Sequence, residues 1–124
     1  MKSIVLLVDD DRESQIAVRE CLNLYGFAVS IADNGREALN WLECFTPDVI
    51  LLDLRMPVMS GEEFLLAYKG NAPVIVTSAC SDPELPKPVA AVVLKPFFMS
   101  EMDKIIRAVI GKEKPCEAVP WSRN

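Results

Sequence analysis

Polar residues with complementary chemistry stand at the ends of four separate apolar runs. Asp9, Asp10 and Asp11 follow Ile4 to Val8, Asp53 follows Val49 to Leu52, Thr77 and Ser78 follow Val74 to Val76, and Lys95 follows Ala90 to Leu94. Ionised within a few ångströms of one another, Asp9, Asp10 and Asp53 would repel strongly, so their cluster requires a raised pKa, a cation, or both. A divalent metal is the economical solution, and an all-oxygen, carboxylate-rich site open on one side suits Mg2+ or Mn2+ better than zinc. Lys95 adds a fixed positive charge and Thr77 a hydroxyl donor, which with a metal would neutralise the oxygens of a phosphoryl group. Asp53 is then the nucleophile that could accept such a group covalently.

Each of these residues also has an ordinary role. Asp9 to Asp11 would serve as a solvated, helix-capping turn, because Asp10-x-x-Glu13 fits a capping box. Asp53, ahead of Leu54-Arg55-Met56-Pro57, would end a strand, Thr77 and Ser78 would be turn residues, and Lys95 a surface charge. The chemical reading rests on the combination, since four independent strand ends supply the parts of one site.

The elements that must position them alternate. Apolar runs at Ile4 to Val8, Phe27 to Ala32, Val49 to Leu52, Val74 to Val76 and Ala90 to Leu94 have strand length, and helical periodicity lies between them. Most runs are continuous in Val, Ile and Leu, as strands covered on both faces should be, so the class is α/β with a parallel sheet. The milder Phe27 to Ala32 belongs at an edge. Ala38, Trp41, Leu42 and Phe45 form one helical stripe, and Met102, Ile105, Ile106, Val109 and Ile110 another. A first helix over about Arg12 to Leu24 presents Ala17, Cys21 and Leu24 beside Val18, Leu22 and Tyr25. A short helix over about Gly61 to Lys69 turns Phe64, Leu65 and Tyr68 inward. The fourth connection, Cys80 to Pro88, carries prolines at 83, 86 and 88 and has room for one helical turn at most, capped by Asp82. In such a sheet functional groups collect beyond the carboxyl ends of the strands, which is where the polar residues stand.

Composition narrows the field further. With 124 residues, 51% of them hydrophobic, the chain has material for one core. Thirteen Lys and Arg stand against 18 Asp and Glu, a net charge of −5 that lacks the basic footprint of nucleic-acid binding. The chain contains no histidine, which removes Ser-His-Asp and Cys-His catalysis, His-ligated zinc and a phosphohistidine of its own. Cys21, Cys44, Cys80 and Cys116 are scattered without a CxxC pair and are expected to be reduced thiols. The apolar start is too short for a signal peptide or a membrane span, so a cytoplasmic location is expected.

Five segments, LLVDDD at 6 to 11, ADNGREAL at 32 to 39, DVILLDLRMPVMSG at 48 to 61, VTS at 76 to 78 and LKPF at 94 to 97, make the chain resemble a response-regulator receiver domain of bacterial two-component signalling. The resemblance covers residues 1 to 112 and leaves 113 to 124 as a C-terminal tail or linker. It implies a flavodoxin-like, doubly wound, five-stranded parallel sheet of order 2-1-3-4-5, here with the fourth helix shortened or absent. Carried over by position, Asp53 resembles the phosphoacceptor, Asp10 the direct Mg2+ ligand, Asp9 the carboxylate that binds the metal through water, and the Arg55 backbone carbonyl the remaining protein ligand. Thr77 resembles the hydroxyl that contacts the phosphoryl oxygen, and Lys95 the lysine that pairs with it, followed by Pro96 in a bond that receivers usually hold cis.

Three positions depart from the common pattern. Val92 stands where many receivers carry an aromatic switch residue, Ala79 offers no polar group for positioning water, and the Arg55 guanidinium is expected at the mouth of the site. The reading that follows is a phosphoacceptor that takes a phosphoryl group from a histidine kinase or histidine phosphotransfer protein in trans. It would catalyse only its own phosphorylation and dephosphorylation, with Mg2+ as cofactor. Its output would reach a downstream protein partner or a missing effector domain, with no membrane association. The alternative is a receiver-like scaffold that binds partners without phosphate. A phosphatase working through an aspartyl-phosphate is disfavoured, because no second acid stands two residues after Asp53.

Overall fold

The computed structural model describes residues 2–113, and the tail expected at 113 to 124 lies outside them from residue 114 on. The strands are β1 (Ile4–Val8), β2 (Ala28–Ala32), β3 (Val49–Asp53), β4 (Val74–Ser78) and β5 (Ala91–Leu94). The helices are α1 (Arg12–Leu24), α2 (Gly35–Leu42), α3 (Gly61–Ala67) and α4 (Met99–Glu113). All neighbouring strands pair in parallel, in the order β2-β1-β3-β4-β5. This is the α/β, flavodoxin-like arrangement implied by the sequence, with β2 at an edge.

Strand periodicity divides the core in two, because successive side chains point to opposite faces. Val5, Leu7, Val49, Leu51, Ile75 and Val93 pack on one face against Leu22 of α1 and Met102, Ile106, Val109 and Ile110 of α4. Leu6, Val8, Ile50, Leu52, Val74 and Val76 pack on the other against Ala38 of α2 and Phe64 and Leu65 of α3. The sheet is thereby held rigidly on both sides, which fixes the rim where the strands end.

Four expected inward residues face out, among them Ala17 of α1 and Tyr25 just after it, both exposed. Gln15, Val18 and Leu22 form the inner stripe of α1, and Leu24, about 200° round the helix from Leu22, is 89% exposed. Phe45 is 57% exposed because α2 ends at Leu42, before the stripe reaches it, although its ring lies 5.1 Å from that of Trp41. The helix start is also displaced by one residue from the expected Asp10-x-x-Glu13 box. Asp11 caps α1, its Oδ2 accepting from the Ser14 N–H at 2.9 Å, and Asp10 is thus not used as the cap.

No helix forms between β4 and β5 among the described residues. Leu85 and Val89 of this connection pack against the α2–α3 side of the core, and Lys87 ties it down. The Lys87 Nζ donates to the Tyr68 carbonyl oxygen at 2.8 Å and lies 5.9 Å from the centre of the Tyr68 ring. A charged donor on a partly buried carbonyl contributes roughly 1.5–3 kcal/mol, so Lys87→Ala is expected to lower stability to about that extent. Urea unfolding reads the loss, and unchanged stability would show that the connection is held by Leu85 and Val89 alone.

Candidate functional site

Register brings the site together. Val8 pairs with Leu52 and Asp53 with Thr77, so Asp9, one residue past β1, stands beside the end of β3, and Asp53 stands beside Thr77. The backbone N–H of Lys95 donates to the Ser78 carbonyl at 2.8 Å, which sets Lys95 just beyond β5 at the same rim. Carboxylate oxygens of Asp9, Asp10 and Asp53 all lie within 4.8 Å of one another. The Lys95 Nζ is 3.1 Å from Asp53 Oδ1, with the Asp53 side chain 12% exposed and that of Lys95 40%. The Lys95–Pro96 peptide bond is cis.

Burial differs within the acidic group. Asp9 is buried and Asp10 exposed. Burial raises the Asp9 carboxyl above its ordinary range, and the negative charges of Asp53 and Asp10 push the same way, against the Asp11 N–H and the Lys95 charge. The Asp11 N–H donates to Asp9 Oδ1 at 3.0 Å. The Arg55 N–H lies 3.4 Å from Asp53 Oδ1, at the long end for a hydrogen bond. Arg55, Thr77, Ser78, Cys80 and Lys95 line the cleft that opens over Asp53.

The structure therefore gathers Asp9, Asp10, Asp53, Thr77 and Lys95 at one end of the sheet. Two further residues were not singled out by sequence reasoning. Cys80, an exposed thiol, belongs to the cleft wall, its N–H donating to Ser78 Oγ at 3.0 Å. Gln15 is 4% exposed and bonded to the Asp9 carbonyl, a place foreshadowed by its spacing from Val18 and Leu22 on the buried stripe.

Residues 5–107 match the family model described as the response regulator receiver domain. The chain belongs to that family. Receivers are signalling domains of two-component systems, and the response regulator MprA of Mycobacterium tuberculosis is 31% identical over 92% of this chain. That alignment takes in 53% of MprA, so the chain spans about half the length of this curated relative. The receiver domain of a signal transduction histidine kinase from Syntrophus aciditrophicus, 24% identical, superposes with a TM-score of 0.84 over 98% of this chain and 99% of its own, which shows the shared fold. A receiver domain of a sensor histidine kinase from Pseudomonas aeruginosa, solved with a magnesium ion coordinated in its active-site cleft, is 25% identical, with a TM-score of 0.79 over 90% of this receiver and 99% of that one. Among the described residues of the receiver no helix is long and apolar enough to cross a membrane.

Proposed function

We propose that this receiver accepts a phosphoryl group on Asp53 from the phosphohistidine of a separate kinase or histidine phosphotransfer protein. The observation that carries the reading is one carboxylate, Asp53, held 3.1 Å from the Lys95 ammonium and within 4.8 Å of two further acidic side chains. Three crowded carboxylates, one already raised by burial, fit a hard divalent cation, and the magnesium ion in the Pseudomonas receiver's cleft supports the choice of Mg2+. Asp10 and Asp53 would hold it directly with the Arg55 backbone carbonyl, and Asp9 through water. The ion would supply charge neutralisation of the phosphoryl oxygens.

The chain's own groups complete the transfer. An Asp53 carboxylate oxygen forms the new bond to phosphorus as the bond to the donor's imidazole nitrogen breaks, and the imidazole leaves neutral after taking a proton. Lys95 moves from the carboxylate to pair with a phosphoryl oxygen, and the Thr77 hydroxyl donates to another. A change at Thr77 and Ser78 enters the helix-free connection directly, which makes that connection the route to a downstream protein partner or an effector domain. The acidic balance, −5 overall, supports a domain that does not itself bind nucleic acid, and a cytoplasmic location follows from the expected exchange with a histidine kinase or phosphotransfer protein. In this reading residues 1 to 112 form the receiver, and the only reactions catalysed are its own phosphorylation and dephosphorylation.

A second reading has one observation in its favour. Val92 is 37% exposed where an aromatic switch is common, beside a connection without a helix, as a phosphate-independent scaffold could tolerate. Intact mass after incubation with Mg2+ and acetyl phosphate separates the two. A single phosphoryl adduct is expected on the wild type and none on Asp53→Ala; no adduct on either, with no Mg2+ binding, would leave the scaffold.

A further inference from the structure

We propose that Gln15 is a positioning residue for the acidic cluster, fixing the Asp9–Asp10 turn in the geometry that a divalent cation requires. The inference rests on the Mg2+ reading above and adds a residue to it. Gln15 lies in the first turn and a half of α1 and is 4% exposed. Its Nε2 donates to the Asp9 carbonyl oxygen at 2.6 Å and to Asp33 Oδ1 at 2.7 Å. Both partners only accept, so the orientation of the amide is determined and both of its N–H bonds are committed.

These two bonds join two loops, and among the described residues no other side chain hydrogen-bonds to both of them. Asp9 follows β1 and Asp33 follows β2, strands that end in register at Val8 and Ala32, with the Asp9 N–H donating to the Ala32 carbonyl at 3.1 Å. Asp33 is anchored in turn, its N–H donating to Glu37 Oε1 of α2 at 2.8 Å. Asp9 is thus held through its carbonyl by Gln15 and through Oδ1 by the Asp11 N–H, whose own residue caps α1. The backbone that carries Asp9 and Asp10 has little freedom left. Without the amide, three mutually repelling carboxylates would spread the turn, and a cation would have to gather them again at the expense of affinity.

A purely structural amide would hold the fold and leave metal affinity alone, and the test separates the two. Mg2+ binding to the full chain is followed by calorimetry and by the amide resonances of Asp10 and Asp11, with thermal unfolding in the absence of metal measured in parallel. Gln15→Met keeps the length of the side chain and removes both hydrogen bonds; its Mg2+ affinity is expected to fall about tenfold. Asp33→Ala and Asp33→Asn remove the same charge, but only the asparagine keeps an oxygen to accept from Gln15. Asp33→Ala is expected to bind Mg2+ several-fold more weakly than Asp33→Asn, and this pair carries the test should Gln15→Met not fold. Wild-type affinity in Gln15→Met, or equal affinity in the Asp33 pair, overturns the proposal whatever happens to the unfolding temperature. No Mg2+ binding by the wild type is a different result: it overturns the metal reading itself, and the role of Gln15 with it.

Discussion

Gly61→Ala is expected to lower stability by about 3 kcal/mol and to disturb the end of β3. A Cβ at position 61 would lie 2.7 Å from the Leu54 Cα and 2.9 Å from the Asp53 carbonyl oxygen. Both are backbone atoms, so no side-chain rotation relieves the contact. The Gly61 N–H also donates to the Leu54 carbonyl at 3.0 Å, which binds the start of α3 to the very segment the methyl group would displace. The cost comes from this close approach and not from helix propensity, in which alanine is favoured over glycine by about 1 kcal/mol. Gly111→Ala is the control, since a Cβ there meets nothing within 4 Å. Urea unfolding of both variants reads the difference, and a phosphorylation time course of Gly61→Ala reports whether Asp53 has moved. Stability equal to wild type would mean that the β3–α3 loop yields without carrying Asp53.

The same loop shows where sequence legibility ends. Parallel strands covered on both faces write themselves as continuous runs of Val, Ile and Leu, so β1, β3 and β4 could be read to within two residues, and the polar residues behind them marked the rim. The proline-rich Cys80 to Pro88 segment announced its missing helix through the amide donors that proline lacks. What could not be read depends on tertiary approach. Nothing in the sequence marks Lys87 as the tie to the Tyr68 carbonyl, because a lysine in a loop looks solvated until a partner 19 positions away is placed beside it. Val58 sits at φ 68, a left-handed conformation costing a β-branched residue on the order of 1–2 kcal/mol, which local preference argues against. Gln15 could be seen only as a polar residue interrupting an apolar stripe, and its two acceptors come from loops that meet only in the folded sheet. The clustered carboxylates were legible because their chemistry is explicit in residue type, whereas the hydrogen bonds around them, such as those of Gln15, leave no pattern in the sequence.

Asp9→Asn is expected to raise the stability of the metal-free protein and to remove most of the stabilisation that Mg2+ confers. Burial and the charges of Asp53 and Asp10 hold the Asp9 carboxyl above its unfolded value of 3.8. A carboxyl with a raised pKa binds its proton more tightly in the folded state, so its stabilising contribution is complete below the unfolded pKa and is lost as pH rises through the folded one. Above its folded pKa the wild type without metal therefore carries a buried charge at a cost, which a neutral amide of the same shape avoids. In the Mg2+ reading the cation would reverse the balance, because it needs the ionised form. At a Mg2+ concentration about 100 times Kd, linkage supplies about 2.7 kcal/mol to the wild type. That increment shrinks as pH falls through the Asp9 pKa, where protons and metal compete for one carboxylate, and in Asp9→Asn it is small at every pH. Thermal unfolding from pH 4 to 8, with and without Mg2+, checks both halves. A variant less stable than wild type without metal would show that Asp9 is held by its hydrogen bond from Asp11 more strongly than it is opposed by burial and its acidic neighbours. An Mg2+ increment in the variant equal to that of wild type would assign the ion to Asp10 and Asp53 without help from Asp9.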